Sequence, residues 1–269
     1  MKIEKYLYGD ETKSLIQRFA FLGNPQIQIN YFKNLADLAE YENWTSSEAD
    51  KEYDILYNYI IHTFSKSAHE DSIFINDNES LAIFNTGLLT ENGEDILGVF
   101  NEFKNSNDFH WHLGEFRKSS DLQIMENFDE TPKVVSYFED PSKIYFDPNK
   151  VLIKNLDHIL DENITRFPES MQQKGKQYIN ALLTNAIDIT IKRCHRNYRI
   201  AVPQYYKDKI TYLLPVQLED TMMSLAVEEI NNRYRANTIF TLDMAYKHAR
   251  LLMKPEADWL TLGTKKEAE

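Results

Sequence analysis

The stretch Lys192-Arg193-Cys194-His195-Arg196-Asn197-Tyr198-Arg199 joins two different sequence patterns. Before it, from about Tyr178 to Ile191, apolar residues recur every three or four positions, which is typical of an amphipathic helix. From Asn197 onward, apolar and polar residues alternate, which is typical of β-strands. We therefore predict that this junction (residues 192–199) lies between a long helix and a sheet.

Four strands with short connections are predicted after the junction. They cover Arg199 to Tyr206, Ile210 to Leu218, Leu225 to Ile230 and Tyr234 to Thr241. Turns are expected at Lys207-Asp208, near Glu219-Asp220 and at Asn231-Asn232. Short connections join antiparallel neighbours, so these strands should form an antiparallel meander. A final helix is expected to begin at Asp243, the predicted N-cap.

The N-terminal part is predicted to be largely helical. Ile27, Ile29 and Tyr31 alternate with polar residues as in a strand, whereas Thr45-Ser46-Ser47-Glu48 is a capping box that should begin a long helix. Residues 72–75 and 81–84 are expected to form a hairpin. The whole pattern predicts an α+β fold with a helical N-terminal part, mixed hairpins, and a C-terminal antiparallel four-stranded meander flanked by helices.

Length and composition limit the number of domains. A chain of 269 residues with 42% hydrophobic content can bury one large core or two modest ones. We predict a single domain over residues 1–269, with a division into lobes 1–168 and 169–260 as the alternative and a flexible tail at 261–269. The sequence contains no apolar run of membrane-spanning length and no signal-peptide pattern, so a cytoplasmic protein without membrane contact is expected.

The charge pattern predicts a local anion site on an acidic protein. The formal net charge is −12 at pH 7, which argues against broad binding to duplex DNA. The junction nevertheless holds four fixed cations, Lys192, Arg193, Arg196 and Arg199. Clustered guanidinium groups bind phosphate or carboxylate through forked hydrogen bonds. The helical stripe through Ile179, Leu182, Ala186 and Ile189 continues to Arg193, which should point inward, toward internal carboxylates or a bound anion.

Histidines and the lone cysteine raise further chemical alternatives. Cys194 is the only cysteine, so intrachain disulfides are excluded, and a buried apolar role is expected rather than a reactive thiolate. His110 and His112 would share one face of a strand and could hold a metal. No third ligand lies near them in sequence, and no cofactor motif is present. These two histidines are therefore the only sequence feature that favours binding of a divalent metal.

Several motifs occur in a fixed order along the chain. They are Phe84-Asn85-Thr86-Gly87-Leu88, Tyr137-Phe138-Glu139-Asp140-Pro141, Arg196-Asn197-Tyr198, Pro203-Gln204-Tyr205-Tyr206, Thr241-Leu242-Asp243-Met244-Ala245-Tyr246, Ala249-Arg250-Leu251 and Trp259-Leu260. Together they resemble the bacterial domain-of-unknown-function family DUF3825 over roughly Tyr31 to Leu260. The resemblance implies no activity. It implies that some relatives carry cold-shock or LOTUS-type modules, which would place the domain near RNA by analogy.

These observations support two main functional hypotheses. The first is an intracellular protein that handles a nucleotide or a short RNA end, and phosphoester hydrolysis or transfer is the reaction that suits its residue types. The predicted catalytic residues are His62 and His158. The predicted ligand-binding residues are Asn85, Thr86, Arg193, Arg196, Asn197, Tyr198, Gln204, Asp243, Tyr246 and Arg250. The alternative is a non-catalytic regulator that sequesters a signalling nucleotide or binds a partner protein through its acidic surface. A zinc hydrolase built on His110 and His112 is a third hypothesis.

Overall fold

Two five-stranded sheets organise the chain, one in each of two units, Met1–Ser136 and Tyr137–Glu269. The computed structural model describes residues 2–47, 49–104, 106, 108–138, 140–206 and 209–262. The division precedes the predicted lobe boundary at 168, because the strand Leu152–Ile153 pairs within the second sheet and the helix Leu156–Asn163 packs on the same neighbour. The single-domain prediction stays a prediction, and residues 263–269 of the predicted tail lie outside the described residues.

The first unit places helices on both faces of a mixed sheet. Its elements are α1 (Leu15–Phe19), β1 (Ala20–Phe21), α2 (Pro25–Leu38), α3 (Asp54–His69), β2 (Ile73–Ile75), β3 (Leu81–Leu89), β4 (Asp95–Glu102), β5 (Trp111–Lys118) and α4 (Leu122–Asn127). The strand order is β1-β5-β4-β3-β2, with β1 parallel to β5 and the other pairs antiparallel. The predicted hairpin is confirmed as β2 and β3.

Alternation along β3 divides the first core between the two sheet faces. One face is aromatic, and its ring centroids lie 5.2 Å apart for Phe19 and Phe100 and 5.3 Å apart for Phe64 and Phe84. The other face carries a smaller aliphatic cluster beneath Ile124 of α4. Both faces are therefore occupied by core packing.

Two local predictions in the first unit are wrong. The residues predicted as a strand at 27–31 lie in α2, because Asn24 accepts a hydrogen bond from the Ile27 N–H (3.0 Å) and Pro25 occupies the first helical turn. The long helix α3 begins at Asp54, beyond the predicted capping box. There Thr45 Oγ1 accepts from the Tyr53 N–H at 3.0 Å, so it precedes the helix in a loop. Glu48 lies outside the described residues.

The second unit confirms the predicted antiparallel meander. Its elements are β6 (Leu152–Ile153), α5 (Leu156–Asn163), α6 (Glu169–Lys174), α7 (Lys176–Cys194), β7 (Val202–Tyr206), β8 (Lys209–Leu218), β9 (Thr221–Ile230), β10 (Arg233–Phe240) and α8 (Leu242–Ala249). Strands β7 to β10 pair antiparallel in sequence order, and β6 adds a parallel edge strand beside β10. Asn231 and Asn232 both adopt positive φ, as a tight hairpin turn requires.

One face of the second sheet is sealed and the other is partly open. Helix α7 packs on the sealed face, where Ile179, Leu183 and Ile187 form one core with alternate residues of β8 such as Leu214 and Val216. Helix α8 contacts β7, β9 and β10. The chain thus has the predicted α+β class. Within its described part, no helix combines the length and apolar character that crossing a bilayer requires.

Replacement of Gly87 by alanine should destabilise the first unit. Gly87 has φ +73°, and an added Cβ would lie 2.7 Å from the Tyr59 hydroxyl oxygen. Gly93 is the matched control, because it has φ +77° and nothing within 4 Å of the added atom. We expect Gly93→Ala to cost about 1–2 kcal/mol from backbone strain. Gly87→Ala should cost about 1–3 kcal/mol more from overpacking, measured by urea denaturation. Equal costs would contradict the steric contact.

Candidate functional site

The junction cations do not enter the core. Lys192, Arg193, Arg196 and Arg199 are all exposed, so the predicted inward direction of Arg193 is wrong. The buried line on α7 passes through Leu183, Ile187, Thr190 and Cys194, whereas Ile189 is 40% exposed. The predicted apolar stripe is displaced from the face of α7 that is buried. Successive residues of a helix point about 100° apart, so a small displacement turns Arg193 away from the core. Cys194 therefore occupies the inward position that had been assigned to Arg193.

Cys194 behaves as a core residue. Its side chain is buried, and burial raises the pKa of the thiol to about 11. A thiol with a raised pKa holds little thiolate at neutral pH and is a poor nucleophile. The expected apolar role is therefore the one that fits its surroundings. The neighbouring cations do not reverse the effect of burial.

Asn85 and Thr86 stabilise the backbone of β3 rather than facing a ligand. Both side chains are buried, and the strand pairing is irregular between Asn85 and Leu89. Asn85 donates to the Pro132 carbonyl (3.2 Å) and accepts from the Gly87 N–H (2.8 Å). Thr86 Oγ1 donates to the Ile96 carbonyl at 2.6 Å. These bonds satisfy the irregular strand, so the predicted phosphate-binding role is corrected to a structural one.

The histidines of the first unit do not form a site. His62 is exposed on α3. His110 precedes β5 and packs against Tyr6 with ring centroids 5.0 Å apart, whereas His112 lies within β5 and packs against Phe103 at 5.3 Å. Of the two histidines, only His112 therefore lies within the strand. Across the residues with described positions, no cluster of three His, Cys, Asp or Glu side chains has a metal-binding arrangement.

A polar cavity of about 770 Å³ lies on the second unit. Strands β7 to β10 form its floor, and α5 and α8 contribute its sides. The lining residues with polar or ionisable side chains are His158, Glu162, Asn163, Arg166, Gln204, Tyr206, Lys209, Thr211, Glu228, Arg235, Asn237, Thr238 and His248. Two of the predicted site residues, His158 and Gln204, are among them. The volume lies within the range of small-molecule sites.

Two residues that line the cavity each have a buried polar atom without a hydrogen-bond partner among the described residues. The atoms are Gln204 Oε1 and Thr211 Oγ1, and the residues are only 3% and 4% exposed. The sheet register places Gln204 directly opposite Thr211 on neighbouring strands, so the two groups form one polar row. A buried polar group without a partner costs free energy. A ligand that hydrogen-bonds to the floor would remove that cost.

Arg166 supplies a fixed cation at the cavity wall. Its Nη1 donates to Thr238 Oγ1 (2.7 Å) and to the Ile239 carbonyl (2.6 Å), which fixes the guanidinium in place. Among the described residues it has no carboxylate partner, and burial lowers its pKa. Both bonds use Nη1, which leaves the other N–H groups without a protein acceptor in the described part of the chain. A forked anion is the ligand that such a group prefers.

The remaining charges of the cavity are partly compensated. Lys209 Nζ lies 3.5 Å from Glu228 Oε1, and Asn237 Nδ2 donates to Glu228 Oε2 at 2.9 Å. Arg235, next to Glu228 in the register, is exposed at the rim. His158 Nδ1 lies 3.2 Å from Glu162 Oε1. The cavity therefore has three fixed cations (Arg166, Lys209 and Arg235) and two carboxylates (Glu162 and Glu228), whereas the whole chain has a negative net charge.

A β-bulge aims two consecutive residues at the same cavity. The register between β10 and β9 shifts between Ala236 and Thr238, so Asn237 is an extra residue in the strand. In a regular strand, Asn237 and Thr238 would point to opposite faces. With the bulge, both line the cavity.

Helix α8 lines the cavity with residues other than those predicted. Asp243, Tyr246 and Arg250 are buried, and each has interactions within the described structure. Met244 and His248 are the α8 residues at the cavity. The His248 ring stacks on Phe240 with centroids 4.8 Å apart. The predicted polar stripe is thus an internal feature of the helix packing.

A second large groove, about 860 Å³, lies on the first unit along β2. Its polar side chains bond one another, for example Asn76 Nδ2 with Asn127 Oδ1 (3.2 Å) and Lys5 Nζ with Glu79 Oε1 (2.7 Å). None of the described residues lining it has a buried polar atom that lacks a partner. The cavity of the second unit is therefore the better candidate site, although it is slightly smaller.

The family comparison covers most of the chain. A family model described as "Domain of unknown function (DUF3825)" matches residues 35–259. No curated protein and no solved structure matches the chain. The matched range includes all the cavity residues named above.

Two threonines of the cavity should respond oppositely to valine substitution. Thr238 Oγ1 donates to Asn163 Oδ1 (2.9 Å) and accepts from Arg166, whereas Thr211 Oγ1 has no partner in the described part of the chain. Thr238→Val should therefore lower the free energy of unfolding by about 1–3 kcal/mol. Thr211→Val should leave it unchanged or raise it by up to about 1 kcal/mol. Urea denaturation of both variants provides the measurement, and a loss in Thr211→Val equal to that in Thr238→Val would show that the Thr211 hydroxyl is bonded.

Proposed function

The chain belongs to the domain-of-unknown-function family DUF3825, and we propose that the polar cavity of its second unit binds a nucleotide or the phosphorylated end of an RNA strand. The observation that carries this proposal is made within the described residues: one cavity is lined by Arg166, whose guanidinium has no carboxylate partner, and by Gln204 and Thr211, whose buried Oε1 and Oγ1 atoms are unpaired. The proposal moves the phosphate site from the junction cations to this cavity.

Each part of such a ligand has a matching part of the cavity. The phosphate is held by the free N–H groups of Arg166 and by Arg235 at the rim. The amide of Gln204 and the hydroxyl of Thr211 hydrogen-bond to the base or the sugar, since both can pair with neutral polar groups. Tyr206 and His248 offer aromatic rings beside these groups, and such rings stack on bases.

The cavity also contains a group suited to proton transfer. His158 Nδ1 lies beside the Glu162 carboxylate, which orients the ring and leaves Nε2 to exchange a proton with a ligand. We propose phosphoester hydrolysis or transfer as the reaction, with His158 as the acid or base and Arg166 stabilising charge on the phosphoryl oxygens. A non-catalytic regulator that sequesters a nucleotide would use the same binding groups without His158.

Substitution of Arg166 should abolish ligand-induced stabilisation. The probes are nucleoside 5′-monophosphates, 5′-phosphorylated dinucleotides and inorganic phosphate, each added to the full chain in a thermal-shift assay. The wild type should be stabilised by at least one nucleotide probe. Arg166→Gln should weaken binding at least about tenfold, since a charge-assisted forked contact contributes about 1.5–3 kcal/mol.

Two further variants make this test specific. Arg235→Gln alters an exposed rim cation and should weaken binding without affecting the fold. Arg196→Ala removes a junction cation that does not line the cavity, so it should leave mononucleotide binding unchanged. Stabilisation lost in Arg196→Ala and retained in both cavity variants would restore the junction as the phosphate site and refute this proposal.

His158→Gln should separate binding from turnover. With phosphodiester dinucleotides, cyclic nucleotides and nucleoside triphosphates as substrates, kcat should fall about 100- to 10,000-fold, because a general acid or base contributes that much. The dissociation constant should change little, since the phosphate contacts remain. His62→Gln, the other predicted catalytic histidine, is the control and should keep full activity. Wild-type binding without turnover of any substrate would support the regulator instead.

A further inference from the structure

A small apolar slot of about 260 Å³ lies on the second unit beside the junction. Tyr145, Tyr198 and Met253 contribute to its walls, together with Val202 and Pro203 of β7. Tyr145 is 55% exposed and Tyr198 is 59% exposed, and their ring centroids lie 5.5 Å apart at 72°. Exposed tyrosine rings around an apolar slot are available for a planar ligand, because the core does not use them.

The junction cations form no salt bridge with the described residues, and one of them, Arg199, lines the slot. Among the described residues, none of Lys192, Arg193, Arg196 and Arg199 has a carboxylate within 4.0 Å. The pattern differs elsewhere in the same unit, where lysines pair with carboxylates at 2.5–2.7 Å: Lys150 with Glu229, Lys154 with Asp188, Lys174 with Glu219 and Lys176 with Asp161. The junction therefore holds four cations, close together in the chain, that form no ion pair with the described residues.

The electrostatics of the helix end explain the position of only some of these cations. Arg196 Nη1 donates to the Lys192 carbonyl at 2.6 Å, and cations near the end of α7 complement the helix dipole. Arg199 lies beyond that end in the short 3₁₀ turn Tyr198–Ile200 and lines the slot, with its guanidinium carbon 5.9 Å from the centroid of the Tyr198 ring. Glu256 is the carboxylate at the slot. Aromatic rings beside guanidinium groups are typical of single-strand binding surfaces.

Strand β7 connects the slot with the polar cavity. Val202 and Pro203 line the slot, whereas Gln204 and Tyr206 line the cavity. Pro203 and Gln204 are consecutive, so the slot and the cavity adjoin along β7, whose five residues span about 17 Å. A ligand with more than one base can therefore stack in the slot and place its end in the cavity.

We propose that the slot and the junction cations bind the body of a single-stranded nucleic acid whose phosphorylated end enters the cavity. One base stacks against Tyr145 and Tyr198, and the backbone phosphates lie beside Arg199 and Arg196. This inference rests on the proposed function, because it identifies the ligand of the cavity as the end of a strand rather than a free nucleotide. The acidic surface elsewhere restricts binding to this confined basic region.

The test uses a 5′-phosphorylated, 3′-fluorescein-labelled RNA of about a dozen nucleotides and the full-length chain, with fluorescence anisotropy as the readout. Tyr198→Ala should weaken binding about 5- to 30-fold, which corresponds to ~1–2 kcal/mol for one stacked base. Arg196→Ala should reduce the slope of log affinity against log salt by ~0.7, as the loss of one phosphate contact predicts. Tyr41→Ala is the control, since Tyr41 is 85% exposed in the first unit, and it should have no effect.

The same variants separate failure of this inference from failure of the proposed function. Mononucleotide stabilisation should persist in Tyr198→Ala and be lost in Arg166→Gln. If mononucleotides bind through Arg166 but the RNA binds no more tightly, or Tyr198→Ala binds it like the wild type, the inference is overturned and the proposed function stands. If polyphosphate competes as well as unlabelled RNA and Tyr198 has no effect, the surface is a simple anion site and the inference also fails. If neither probe binds, the proposed function falls.

Discussion

Packing of α7 against one face of the second sheet is the constraint on which the candidate site depends. The residues of β8 alternate, so burial of Tyr212, Leu214 and Val216 against the helix directs Thr211 and Leu213 to the opposite face. A shift of one residue would reverse both faces and place the hydroxyl of Thr211 inside the helix-packed core. The same apolar contacts that stabilise the unit therefore decide which polar groups face the cavity.

The sequence predicted the second unit better than the first, for a physical reason. Strands β7 to β10 are joined by short connections and have regular alternation, so local residues determine both their type and their pairing. In the first unit, Ile27 and Ile29 alternate with polar residues, yet the cap at Asn24 and Pro25 favours a helix. The aromatic contacts between Phe19, Phe64 and Phe100 join distant segments, which no short pattern indicates.

Prediction of the site was limited in two ways: the direction of a helical side chain was misjudged, and some residues of the site are far apart in the sequence. His158 and Gln204 both line the cavity, and their roles stay predictions, whereas Arg193 was aimed inward because the stripe on α7 was displaced by one position. Arg166 had no local signal beyond its charge. It reaches the cavity because its guanidinium bonds Thr238, which is far along the chain. Thr211 lies in an alternating strand and could have been found as the cross-strand neighbour of Gln204 once the meander was assigned.

The β-bulge at Asn237 makes the chemistry of the cavity depend on chain length as well as on residue identity. The extra residue allows Asn237 to hold Glu228 while the adjacent Thr238 holds Arg166. Deletion of one codon there would restore regular pairing and turn one of these two side chains to the opposite face, without changing any other residue. Related chains that lack the extra residue would then keep the sheet and differ in what the cavity accepts, so gain or loss of a single residue in β10 is a route by which ligand preference can diverge.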